Sequence, residues 1–137
     1  MHRLIDSYLT FFVFFIWIGA ASAQASKVSL DTEFSLRVGQ TVTIEDEGLV
    51  IKFKAVLEDS RCPVNAVCVW AGNGKAELEV IEIAGQNKTV LLNTEDKPKE
   101  IALKGHELKL IALNPPRIDG VSISSGDYAV TLYVKKK

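Results

Sequence analysis

The chain has 137 residues, 16 of them basic and 17 acidic, giving a net charge of −1, and 47% are hydrophobic. A chain of this length holds one domain, and so balanced a charge supplies no attraction to nucleic acid or to an anionic membrane. Acidic and basic residues interleave along the sequence, which is the pattern of a solvated surface and not of a binding tract.

Residues 1–23 read as an export signal. Arg3, with His2 beside it, supplies a short basic start, and the apolar run Leu9–Ala21 follows. Ala21-Ser22-Ala23 puts small residues where a signal peptidase needs them, so cleavage is expected before Gln24. The run is short of the roughly 20 residues that span hydrocarbon, which makes an uncleaved anchor the second choice. No cysteine follows the run to carry a lipid. Residues 24–137 are then one exported domain, periplasmic or extracellular, with no stable membrane insertion after cleavage.

The exported part reads as β throughout. Lys27–Leu30, Phe34–Val38 and Thr41–Ile44 open it. The clearest strand is Leu49–Leu57, where Leu49, Ile51, Phe53, Ala55 and Leu57 alternate with Val50, Lys52, Lys54 and Val56. A period of two puts the first set on the core face. Lys75–Ile83 follows with Ala76, Leu78 and Val80 inward, then Lys88–Asn93, Glu100–Leu103 and Glu107–Leu113 with Leu108, Leu110 and Ala112 inward. The last strand sets Tyr128, Val130, Leu132 and Val134 against Ala129, Thr131, Tyr133 and Lys135.

Turn formers separate these runs at short intervals, among them Glu45–Gly48, Ala84–Asn87, Lys104–His106 and Asn114–Pro116. Residues 114–126 form the longest irregular connection. No stretch is long enough for helical crossovers, so the expected fold is all-β, an antiparallel β-sandwich of immunoglobulin-like architecture. A small barrel is the alternative. The immunoglobulin arrangement of cysteines on opposite sheets is absent, so only the architecture is implied.

The stretch Asp59–Gly74 holds both cysteines and, outside the N-terminal segment, the chain's tryptophan. Two cysteines in an exported chain read as a disulfide, Cys62 to Cys68, closing a small loop that Pro63 stiffens. Loop-closure entropy makes such a bond worth about 2 kcal/mol. A redox dithiol favours Cys-x-x-Cys spacing, which is not present. A metal pair would need two further ligands, and His106 is the sole histidine left after cleavage. No metal or other cofactor is expected.

Trp70 shares a face with Cys68 if a strand starts there, so its indole either packs over the sulfurs or stands out as a docking anchor. At least partial packing is expected. Arg61 either pairs with Asp59 or presents its guanidinium to a partner. Ala71–Gly74 reads as a tight exposed turn, because Asn73 and Gly74 both tolerate positive φ. His106 reads as a surface turn residue, and Asn87-Lys88-Thr89 matches a glycosylation acceptor in a source that glycosylates. The serines, Ser122, Ser124 and Ser125 included, lie in no nucleophile motif. Nothing assembles catalytic residues, so no enzyme is expected.

Asp59-Ser60-Arg61-Cys62-Pro63 followed by Cys68-Val69-Trp70-Ala71-Gly72-Asn73 resembles a motif of small exported bacterial proteins of unassigned activity. The resemblance implies export, the disulfide and a single β-sandwich, but no substrate. Many of those proteins look lipid-anchored, from which this chain departs. The expected function is non-enzymatic binding of an extracytoplasmic protein or small ligand through the disulfide loop. Arg61, Pro63, Val64, Asn65, Ala66, Val67, Trp70 and Asn73 are the expected contact residues. The alternative is an envelope accessory domain in which the loop serves structure alone, and an enzyme comes third.

Overall fold

The computed structural model describes residues 25–82 and 85–137. The expected export signal and its expected cleavage site, with Ile83 and Ala84, lie outside the described residues. Among the described residues nine strands form: β1 (Ser26–Val28), β2 (Glu33–Arg37), β3 (Thr41–Ile44), β4 (Leu49–Asp59), β5 (Gly74–Ile81), β6 (Asn87–Asn93), β7 (Glu100–Leu103), β8 (His106–Asn114) and β9 (Ala129–Lys136). One turn of 3-10 helix, Ser125–Asp127, precedes β9.

The strands make two sheets, ordered β1-β3-β4-β5-β6 and β2-β9-β8-β7. They pack face to face and do not close, so the fold is a β-sandwich and the barrel alternative is excluded. Alternation builds the core directly: Val42, Ile44, Ile51, Phe53, Ala76, Leu78, Val80 and Leu92 of one sheet meet Leu108, Val130, Leu132 and Val134 of the other. Each of these side chains is at most 1% exposed, so the two inner faces are sealed against each other.

Three expectations need correction here. The fold is not purely antiparallel: β1 pairs with β3 in parallel. The chain reverses twice between them, and the intervening β2 lies in the other sheet, so β3 returns in the direction of β1. Second, the alternation of β4 does not run through to Leu57. Irregularities between Phe53 and Ala55 and between Val56 and Glu58 each insert a residue, which turns Val56 toward the core and leaves Leu57 54% exposed. The same device between Leu110 and Ala112 of β8 buries Leu113 where Ala112 was expected inward.

Third, His106 is no surface residue. It opens β8 and is 8% exposed. Its Nε2 lies 2.8 Å from a Glu47 carboxylate oxygen and its Nδ1 3.0 Å from the Lys104 carbonyl. The turn after β3 brings Glu47 over the ring, a contact between residues 59 positions apart.

The sheets place three connections at one end of the sandwich. Asp59 pairs with Gly74 across β4 and β5, and Asn114 pairs with Ala129 across β8 and β9. The segments 60–73, 94–99 and 115–128 therefore emerge together.

Candidate functional site

The disulfide loop is the tip of a ribbon that prolongs β4 and β5. Ser60 N–H donates to the Asn73 carbonyl at 2.8 Å and Cys62 N–H to the Ala71 carbonyl at 2.8 Å, so the ladder continues beyond the strands. Cys62 and Cys68 are bonded, with Cα atoms 5.9 Å apart, as expected from their isolation and even count. Between the two cysteines the backbone tightens, Ala66 N–H donating to the Pro63 carbonyl.

The base of the ribbon is polar and internal. Arg61 donates from Nε and Nη2 to the two carboxylate oxygens of Asp59, at 2.7 and 2.8 Å. Two further bonds reach across the sandwich, Nη1 to the Leu113 carbonyl of β8 at 2.6 Å and Nη2 to the Pro115 carbonyl just beyond it at 2.9 Å. Tyr128 donates its hydroxyl to Asp59 at 2.9 Å. Burial by itself would raise the Asp59 carboxyl. The bonds from Arg61 and Tyr128, with the guanidinium charge, outweigh it and hold the group below its ordinary value. Burial and the bond to Asp59 push the Tyr128 phenol upward.

A second buried cluster fixes the other leg. Asn73 is 3% exposed and donates from Nδ2 to Asn93 Oδ1 at 2.9 Å. Its Oδ1 accepts from the backbone N–H groups of Glu95 and Asp96. Gly74 and Thr94 exchange bonds alongside, Gly74 N–H to Thr94 Oγ1 and Thr94 N–H to the Gly74 carbonyl, each at 2.9 Å. Between these contacts Gly72 adopts φ +69, and a Cβ on it would stand 1.7 Å from the Ser60 carbonyl oxygen. Only glycine fits there.

The long connection 115–124 is tied to the loop. Val64 N–H donates to the Arg117 carbonyl, Arg117 Nη1 to the Arg61 carbonyl, and Asp119 N–H to Asn65 Oδ1. Beside the exposed Asn65 and Asp119, large apolar side chains stay outside: Val67 is 104% exposed, Val69 91%, Trp70 81% and Val64 70%. Ile118 and Val121 of the second loop are exposed as well. The site is thus a stiff tip with hydrophobic side chains outward.

Two groups of the expected contact residues separate. Val64, Asn65, Ala66, Val67 and Trp70 lie on the exposed tip, with Pro63 half-buried beside them. Arg61 and Asn73 do not: both point inward as anchors, because their donors and acceptors are used by neighbouring backbone and carboxylate groups. Ala71–Gly74 is accordingly not a free hairpin turn. Nor does Trp70 pack over the sulfurs. The ribbon beyond Ala71 stands clear of the core, which leaves the indole outside.

Val69, Ile118 and Val121 belong to the tip although the motif did not single them out. The clue was present: isolated apolar residues in a Pro- and Gly-rich connection have no strand to pack on. Asn87 of the glycosylation acceptor is exposed at the start of β6 and donates to Glu79. Among the described residues no group of three or more His, Cys, Asp or Glu side chains is placed to hold a metal ion. No family model, curated protein or solved structure matches the chain.

Proposed function

We propose that this is an exported, non-enzymatic domain that acts by binding an extracytoplasmic partner through the disulfide-closed tip. One observation carries the reading: Val67, Val69 and Trp70 are 81–104% exposed on a backbone held by a disulfide and by bonds to a second loop. Apolar side chains gain nothing from folding unless something covers them. A preorganised loop loses little conformational freedom on docking, so the surface is built for contact rather than for stability. The disulfide is compatible with an oxidising compartment, which supports export.

The accessory reading, in which the loop serves structure alone, draws support from Arg61, Asn73 and Gly72 at the base. These residues explain the base and leave the tip unexplained. The test replaces Val64–Val67 with Gly-Ser-Gly-Ser while keeping both cysteines, and separately makes Trp70→Ala. The binding reading expects Trp70→Ala within about 0.5 kcal/mol of the parent, the loop replacement lower by about 1–2 kcal/mol through the lost Asn65 bond and the added glycines, and loss of co-sedimentation with the envelope fraction of the producing cell in both. A fall of several kcal/mol with unchanged co-sedimentation would establish the accessory reading instead.

A further inference from the structure

We infer that the surface the tip docks on is the headgroup region of a lipid bilayer, with Trp70 at the interface and Val67 and Val69 beneath it. This rests on the binding reading above and names its ligand. The first argument is chemical. From Cys62 to Gly74 no side chain carries a charge, and the guanidinium of Arg61 just before them is spent inside. An indole flanked by aliphatic side chains matches the zone where one end of a side chain is apolar and the other wet, with the exposed Asp119 of the second loop at its aqueous edge.

The second argument is topological. Because β1 runs parallel to β3 and β3 antiparallel to β4, the chain reaches Ser26 from the end of the sandwich that carries the tip. The residues before it include the apolar run Leu9–Ala21, separated from β1 by Ser22–Ala25. Four extended residues reach at most about 14 Å. Ser26 stands level with Val42 and hence with Ile51, and from Ile51 to Asp59 β4 continues toward the tip for roughly 25 Å. Until cleavage before Gln24, a tether that short keeps the tip end of the domain turned toward the membrane the chain crosses, so the tip is the end that first meets lipid.

A protein partner fits less well. Stable protein interfaces engage about 20–30 residues a side, whereas the exposed apolar tip is Val64, Val67, Val69, Trp70, Ile118 and Val121. Among the described residues no helix is long and apolar enough to cross a membrane.

The chain has two tryptophans, Trp17 in the export segment and Trp70. In exported protein beginning at Gln24, tryptophan emission therefore reports the tip. Titration with phosphatidylcholine vesicles, and with phosphatidylethanolamine–phosphatidylglycerol vesicles, is expected to shift the emission to the blue and to shield it from acrylamide. Co-sedimentation should persist at high salt. Val67→Ser, which keeps the reporter, should weaken vesicle binding at least tenfold while its urea midpoint stays at the parent's. No shift and no co-sedimentation with either vesicle would overturn the inference, as would binding confined to the anionic vesicles and abolished by salt. If association with the envelope fraction depends on Trp70 while vesicles are ignored, the lipid assignment falls and the binding reading stands.

Discussion

Arg61 closes on Asp59, two residues before it, and the same guanidinium reaches across to the Leu113 carbonyl of the opposite sheet and the Pro115 carbonyl just beyond it. A residue in a surface loop motif thus joins the two layers of the sandwich. Arg61→Ala strands a carboxylate that is 9% exposed and two carbonyls, and is expected to destabilise by about 3 kcal/mol in urea unfolding. Arg61→Lys should recover only part of this, since an ammonium cannot span both Asp59 oxygens and both carbonyls.

Acid should loosen the same joint. The Asp59 carboxyl is held below its unfolded value, so its contribution is present above about pH 4 and is lost as pH falls through the folded value. Tyr128 is raised, so its contribution is complete below about pH 10 and is lost as pH rises through its folded value. Stability measured against pH is expected to fall at both ends, and Asp59→Asn should flatten the acid limb. An unchanged acid limb in that variant would place the sensitivity elsewhere.

Gly72→Ala should be worse than Gly39→Ala, although both sites have positive φ. At Gly39 an added Cβ meets nothing within 4 Å, whereas at Gly72 it meets the Ser60 carbonyl oxygen at 1.7 Å. Strain of the backbone alone costs about 1–2 kcal/mol. The Gly72 variant is expected to exceed that, with a lower thermal midpoint than the Gly39 variant.

Much of this architecture was legible. The strands, their inward faces and the disulfide follow from period-two patterning and from an even cysteine count. The parity of β4 beyond Phe53 and of β8 beyond Leu110 was not, because a bulge leaves no mark in composition: Leu57 and Ala112 look like ordinary members of an alternating run. Asn73-Gly74 misled for a different reason. The pair satisfies the local rule for a turn, but the amide of Asn73 is claimed by residues 20 or more positions away. His106 follows the same pattern, its partner Glu47 lying far upstream. Local chemistry could be read; long-range polar pairing could not.

Replacing both cysteines with serine is expected to lower stability by about 2 kcal/mol, the entropy of a small closed loop, and to leave the sandwich folded. The ribbon beneath keeps its bonds through Ser60, Arg61 and Asn73. The change should appear in the tip, as faster amide exchange at Val64–Val69 than at Ser60 and Asn73. Complete unfolding of the double variant would show that the loop carries more of the fold than its contacts indicate.

The division between an internal base and an outward tip has an evolutionary corollary. Selection on the base acts through folding, so drift there is tightly constrained at Asp59, Arg61, Gly72 and Asn73. The side chains of Val67, Val69 and Trp70 are almost wholly solvent-facing, so they can be exchanged without disturbing the scaffold. The outer surface can therefore change at little structural risk, and Val67, Val69 and Trp70 are the positions at which new side chains can be grafted while the bonds of Val64 and Asn65 stay in place.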